Sequence, residues 1–273
     1  MLEAPYPELD DLLEMMGEAG KHLAEIEASE GAAGNISVCL RWQVEPRNHF
    51  PWINEIELPQ PIPELSGVTF LVSGSGRRLR EILDEPTASI ACIVVDEGGR
   101  TGKLYTSPHR RFERVTSEFN SHLAAHHDQM RVRDVNIHAI VHAQPLHLTY
   151  LSHLAEYQDK EYLNRHLLRW QPETILNFPD GIGVLPFILI GSAQLTVETM
   201  LALREHPLVI WSQHGVMARA DGSILHALDL IEYAETAAHY EFLNLTSGGR
   251  SQGLAPEHLR EVAKSWNIRQ NIF

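Results

Sequence analysis

The stretch Val135-Asn-Ile-His-Ala-Ile-Val-His-Ala-Gln144 reads as an apolar strand, Val135 to Val141, that ends in His142-Ala-Gln144. Residues i and i+2 of a strand point the same way, so His142 and Gln144 can offer ligating atoms to one metal ion. A buried strand opening into a loop is a common place for functional side chains. Pro145 suits the first turn of a following helix, and His147 comes just after it. A polar strand exit without further purpose would produce the same residues.

Outward from this strand, helical and strand patterns are mixed. Upstream, Ser117 to Gln129 reads as a helix that Thr116 or Ser117 can cap. Before it come two strands, Ser89 to Asp96 and Thr101 to Thr106, joined antiparallel by a Gly98-Gly99 turn. Val68 to Ser73 is a short buried strand, and 43–66, rich in Pro and polar groups, reads as an extended loop. Asn35 to Leu40 alternates as a strand, and 7–29 shows the apolar spacing of an amphipathic helix. Downstream, 157–176 has no clear pattern, Ile182 to Leu189 is strand-like and Thr196 to Arg204 is helical. Leu208 to Trp211 and Gly215 to Ala218 are strands on either side of His214. Ile224 to Leu243 is a long amphipathic helix, and Pro256 to Lys264 a short one. Such a mixture with several hairpins specifies an α/β or α+β domain. At 273 residues, one domain spanning 1–273 is expected.

The formal charge of -14 disfavours nucleic acid and anionic membrane as partners. It leaves room for an anionic small molecule, because N–H groups, hydroxyls and a metal bind phosphate without a basic surface. No apolar run approaches the ~20 residues needed to cross a bilayer. The opening Met1-Leu-Glu-Ala-Pro-Tyr shows no basic-then-apolar secretory pattern. Cys39 and Cys92 lie in apolar, strand-like settings and read as buried free thiols. A cytoplasmic setting is expected.

Five short groups can carry chemistry. Gly34-Asn35-Ile36-Ser37 marks a helix-to-strand turn where backbone can approach a ligand. Ser73-Gly74-Ser75-Gly76 closes a strand and can form an anion nest. Thr116-Ser117-Glu118 starts a helix; its hydroxyls and N–H groups suit a phosphate, and Glu118 becomes a general base if burial raises its pKa. His142-Ala-Gln144 is the fourth group, and Trp211-Ser-Gln-His214-Gly215 the fifth. Taken singly, each is explained as well by an ordinary turn, cap or strand end. Most of the 16 histidines, likewise, are expected to be structural or surface groups.

The order of these groups resembles the class II aldolase and adducin-head family. The resemblance covers nearly the whole chain. It is densest in Phe70-Leu-Val-Ser-Gly-Ser-Gly76, Thr116-Ser-Glu118, Phe178-Pro-Asp-Gly-Ile-Gly-Val-Leu-Pro186 and Leu208-Val-Ile-Trp-Ser-Gln-His-Gly-Val216. The resemblance implies an α/β fold, a single domain with a central, mostly antiparallel sheet flanked by helices. It also implies a cyclic homotetramer with interfacial active sites and a divalent metal, usually zinc, held by histidines. The implied activity is that of a lyase in carbohydrate metabolism. It cleaves a phosphorylated ketose, of the rhamnulose-1-phosphate type, to dihydroxyacetone phosphate and an aldehyde. An epimerase or dehydratase on the same scaffold and a non-catalytic, adducin-like member are the alternatives.

Carried onto this chain, the resemblance assigns His142 and His214 to the metal. Glu118 takes the acid/base position, with Glu173 as a second carboxylate reaching a neighbouring subunit's site. Asn35, Ser75, Gly76, Thr116 and Ser117 fall at substrate or phosphate positions. Two positions depart from the family pattern. The strand-end His-x-His reads His142-Ala-Gln144 here, and an amide oxygen is a weaker zinc donor than imidazole. Ala32 stands where the rhamnulose-phosphate type carries Asn. His147 replaces the missing imidazole only if the chain turns sharply at Pro145.

Overall fold

In the computed structural model, which describes residues 2–273, β1 (Asn35–Leu40) and β6 (Ile137–Ala143) form the centre of a nine-stranded sheet. Outward from β1 run β3 (Thr69–Ser73), β4 (Ile90–Val95), β5 (Thr101–Thr106) and the edge strand β2 (Trp52–Glu57). Beyond β6 lie β9 (Gly215–Ala220), β8 (Leu208–Trp211) and β7 (Gly183–Leu185). Adjacent strands are antiparallel except β7 and β8.

Helices cover both faces, and the side-chain alternation of the central strands shows why. One set of residues, including Ile36, Val38, Leu40, Ala139, Val141, Ile210 and Ala218, faces α1 (Leu9–Glu25) and α8 (Ile224–Thr246) in a continuous apolar core. Residues of opposite parity face α3 (Phe119–Arg133) and α7 (Ala193–Glu205). A strand buried on both faces reads as a largely apolar run, as β6 does apart from His138 and His142. The smaller helices α2 (Pro86–Ser89), α4 (Leu146–Leu151), α5 (Lys160–Leu167), α6 (Pro172–Asn177) and α9 (Pro256–Ser265) complete the layers.

On the α3 and α7 side the apolar packing falls into two separate clusters. One joins Cys39, Phe70, Val72 and Ile93 to Phe119, Leu123 and Met130 of α3. The other joins Ile140, Val209, Trp211 and Met217 to Leu195 and Leu203 of α7. A row of buried polar side chains lies on the same face: Asn35 and Ser37 of β1, His138 and His142 of β6, and His122 and His126 of α3.

Several expectations need correction. The region 43–66 contains β2 and two single 3₁₀ turns. All of β2 is exposed or half-exposed, so it carries none of the alternation that marks a half-buried strand. The strand-like run 182–189 pairs only over Gly183–Leu185. Residues 157–176 hold α5 and α6, too short for a strong 3.6-residue period. The first helix is shorter than 7–29, ending at Glu25. Cys39 and Cys92 are buried free thiols, as expected, and burial pushes the Cys92 thiol up to about 12. No helix among the described residues is long and apolar enough to cross a membrane.

Close packing of α1 generates a prediction. A Cβ on Gly20 would lie 2.8 Å from the Leu79 carbonyl carbon and closer still to its oxygen. Gly to Ala inside a helix normally stabilises by up to ~1 kcal/mol. Here overlap with backbone outweighs propensity, so Gly20→Ala is expected to destabilise by ~1–3 kcal/mol. Urea denaturation of the two proteins checks the sign.

Candidate metal and catalytic site

The register of β1 against β6 sets Asn35 opposite His142. On the other side of β6, the β8–β9 turn brings His214 over the same strand end. That turn is tight: Gln213 adopts φ 66°, and His214 N–H donates to Trp211 O at 2.9 Å. Trp211 lies against both imidazoles, with ring centroids 4.8 Å from His142 and 5.3 Å from His214. Its indole is anchored by a 2.9 Å bond from Nε1 to Thr199 Oγ1. A close approach also matters here, because a Cβ on Gly34 would lie 2.7 Å from the His142 carbonyl oxygen.

Glu118 enters from α3. It occupies the N-cap position, in place of Thr116 or Ser117, yet its side chain makes no capping hydrogen bond. A good cap is worth ~1 kcal/mol. The carboxylate instead points into the sheet end, where Asn35 Nδ2 donates to Oε2 at 2.7 Å. His142 Nε2 is 3.6 Å from Oε2, and His214 Nε2 is 3.9 Å from Oε1.

These three residues offer donor atoms that all lie within 4.8 Å of one another. His142 Nδ1 donates to Val216 O at 2.8 Å, which in a neutral ring leaves Nε2 as a bare lone pair facing the carboxylate. Two lone-pair donors facing each other beyond hydrogen-bond range repel unless a cation lies between them. Donors each ~2.1 Å from one tetrahedral ion stand about 3.4 Å apart. A second nitrogen-to-carbonyl bond of this kind is how metal-binding histidines are usually oriented. His214 Nδ1 is buried without a partner. The residues therefore fit a divalent metal, and two imidazoles with one carboxylate is a zinc-type set.

The electrostatics reverse one expectation. Burial alone pushes the Glu118 carboxyl up, but His142, the Asn35 hydrogen bond, His122 and His214 together hold it below the usual range. Glu118 is thus an ionised carboxylate at neutral pH rather than one raised towards it. Desolvation lowers His214 to about 4, with His142 adding to the effect and Glu118 opposing it. Desolvation likewise lowers His122 to about 3, and His126 and His138 well below 6.5.

The remaining sequence candidates fall into three groups. Gly74 pairs with Val115, and Thr116 N–H donates to Ser73 O at 3.0 Å, so the Ser-Gly turn and the start of α3 lie side by side. Ser75 and Gly76 on that turn and Thr116 and Ser117 thus flank the Glu118 end of the site. Gln144 is half-buried, its Cγ 3.0 Å from where a Gly215 Cβ would stand, and it lines a cleft of about 630 Å³ with Arg80, Tyr150 and His153. His147 does not replace it. Its ring is bound to Glu235 at 2.7 Å and stacked on His239. Glu173 is exposed in the first turn of α6, which packs on α8 and α9. Sequence reasoning missed His122, His126 and His138, which join Ser37 of the Gly-Asn-x-Ser group. The spacing Glu118, His122, His126 places three polar groups on one helical face, a signal that was available.

Class II Aldolase and Adducin N-terminal domain is the family model that matches, over residues 14–242. The chain belongs to the class II aldolase family. Rhamnulose-1-phosphate aldolases of Yersinia pestis and Yersinia pseudotuberculosis are 30% identical to it over 242 residues, 88% of this chain and 87% of theirs. The sugar-phosphate aldolase of Thermotoga maritima superposes with a TM-score of 0.75 at 28% identity, covering 89% of this chain and 98% of that one. L-fuculose-1-phosphate aldolase from Thermus thermophilus shares the fold, with TM-score 0.55 at 18% identity, covering 89% and 98%. This family member has a mixed α/β fold with a predominantly antiparallel sheet.

The buried histidines predict an acid-labile fold. His122 titrates near 3 when folded against an ordinary 6.5. The unfolded chain therefore binds the proton first, and stability is full above 6.5 and falls as pH drops towards 3. His122 alone contributes a slope of ~1.4 kcal/mol per pH unit in that window. In chelator, the melting temperature is expected to be level above pH 7 and to fall steadily from 6.5 to 5. A level profile over that range contradicts neutral buried histidines.

Proposed function

We propose that this protein is a metal-dependent aldolase that cleaves a ketose 1-phosphate, of the rhamnulose-1-phosphate type, to dihydroxyacetone phosphate and an aldehyde. The observation that carries this reading is the convergence of Glu118, His142 and His214 from three separate elements, beside a Ser-Gly turn suited to phosphate. Rhamnulose-1-phosphate aldolases at 30% identity support the sugar class.

His142 and His214 would hold the cation, with Gln144 or Glu118 as a third donor. When bound, a divalent ion such as zinc supplies Lewis-acid stabilisation of the negative charge left as the carbon–carbon bond breaks. Glu118, ionised and fixed by Asn35, moves a proton to and from the substrate. Backbone and hydroxyl groups of Ser75, Gly76, Thr116 and Ser117 hold the phosphate. Trp211 excludes water from behind the two imidazoles.

Oligomerisation belongs to the same proposal. Phe187, Leu189 and Ile190 are 60%, 70% and 46% exposed, with Val197 and Leu201 of α7 also exposed nearby in sequence. Exposed apolar side chains of this kind suit a subunit contact. A homotetramer would carry the exposed Glu173 to a neighbouring site. Buried thiols are consistent with a cytoplasmic setting.

Gln144 favours a second reading, a non-catalytic binding member with a weakened metal site. One experiment separates the two. The purified protein is expected to carry about one equivalent of zinc-type metal per chain. Turnover should release dihydroxyacetone phosphate and a second fragment, where an epimerase would give one isomerised sugar and a dehydratase a dehydrated one. His214→Ala should abolish both metal and turnover, and Gln144→His should tighten metal binding about tenfold or more. Absence of metal together with no cleavage of any ketose 1-phosphate overturns the aldolase reading. Gain of both on Gln144→His then supports the binding member.

A further inference from the structure

Glu118 is the end of a buried hydrogen-bonded chain that runs back through the molecule. Asn35 Nδ2 donates to its carboxylate at 2.7 Å, and Asn35 Oδ1 meets His122 Nε2. His122 Nδ1 is 2.6 Å from Ser37 Oγ, which is 2.7 Å from His126 Nε2. His126 Nδ1 is 2.7 Å from His138 Nδ1. His122, His126, His138 and Ser37 have no exposed surface.

Elementary hydrogen-bond chemistry fixes every proton in this chain. Asn35 presents its N–H₂ to a Glu118 carboxylate oxygen and its own oxygen to His122. That oxygen only accepts, so His122 carries its proton on Nε2. A neutral His122 then has a bare Nδ1, to which the Ser37 hydroxyl must donate. The hydroxyl has one proton, so His126 Nε2–H donates to Ser37. His126 Nδ1 is then bare, and His138 Nδ1–H donates to it. His138 Nε2 is left as a lone pair.

An independent observation agrees with this end point. His138 Nε2 is buried without a hydrogen-bond partner, and the nearest carboxylate oxygen, on Asp221, is 4.0 Å away. An N–H facing a carboxylate would be drawn into hydrogen-bond range. Asp221 instead turns to Arg133 at 3.5 Å and Arg219 at 3.7 Å. Both guanidinium charges disfavour a second proton on His138.

We propose that His138, His126, Ser37 and His122 form a one-way relay of hydrogen-bond orientation that locks the Asn35 amide with its N–H₂ facing Glu118. These are positioning residues, and they rest on the reading of Glu118 as the carboxylate of the site. All five donors point towards Glu118, so their dipoles add at its negative charge. The relay transmits orientation rather than protons, because the Asn35 amide interrupts any path for a mobile proton. Without His122, the amide can rotate and present its oxygen to the carboxylate.

The test uses the full-length protein as purified, labelled with ¹⁵N histidine. Long-range ¹H–¹⁵N spectra report tautomers. His122 and His126 are expected as Nε2–H forms and His138 as the Nδ1–H form. A ¹⁵N–¹⁵N coupling across the N–H···N bond should link His126 to His138. His122 as the Nδ1–H form, or a charged His126, overturns the relay, whether or not the protein cleaves a ketose phosphate. Where cleavage is observed, His122→Leu is expected to lower kcat about 10- to 100-fold, the scale of one hydrogen bond to a charged group, with little change in KM. His122→Gln, which places an amide N–H near the lost Nε2–H, should recover most of kcat. Equal kcat in the wild type, His122→Leu and His122→Gln would refute the positioning role while leaving the aldolase reading intact.

Discussion

An ionised carboxylate in the protein interior is the constraint around which the centre of this molecule is arranged. Glu118 is 5% exposed, and an isolated carboxylate so placed would be too costly to keep charged. The Asn35 amide donates to it directly, the polar residues behind that amide hold the amide in place, and a cation held with the imidazoles of His142 and His214 would offset its charge. These groups come from β1, β6, α3 and the β8–β9 turn. Holding them together requires the β1–β6 register, the β8–β9 turn and the start of α3 at once. The site thus depends on the sheet centre, and an error of one residue in register would turn Asn35 to the opposite face.

The polar row also shapes the packing. It lies on the same face as two apolar clusters that do not merge, while the opposite face forms one continuous core. α3 serves both, sending Phe119, Leu123 and Met130 into one cluster and Ala125 into the other. Between them it presents His122 and His126 to the strands. Such a helix is apolar and polar on its buried side, so it has no simple amphipathic stripe. Its N-terminus gives up a side-chain cap so that Glu118 can face the strand ends. A side-chain cap worth about 1 kcal/mol is forgone there in favour of the site's geometry.

Much of the fold was legible because central strands and long helices impose periodic apolar patterns. β1, β3, β4, β5, β6, β8 and β9 lie where alternation or apolar runs place them, and α7 and α8 follow helical spacing. β2 was not legible because both its faces are exposed. The run after β7 looked like strand because it is apolar, but Phe187, Leu189 and Ile190 face outward. Apolar character there reflects exposed surface rather than sheet burial.

By itself the sequence determined the family, the sheet's main strands, and the identity of Glu118, His142 and His214 as the residues to watch. These follow from local patterns and from motifs whose order survives without coordinates. Only the tertiary structure decided that the three donors converge, that His147 is committed to Glu235, and that Glu118 is held ionised rather than raised. The sign of a buried group's pKa depends on which charges and hydrogen bonds meet it in space. Those partners here come from residues 35, 122, 142 and 214, and no pattern along the chain fixes how desolvation and attraction balance where they meet.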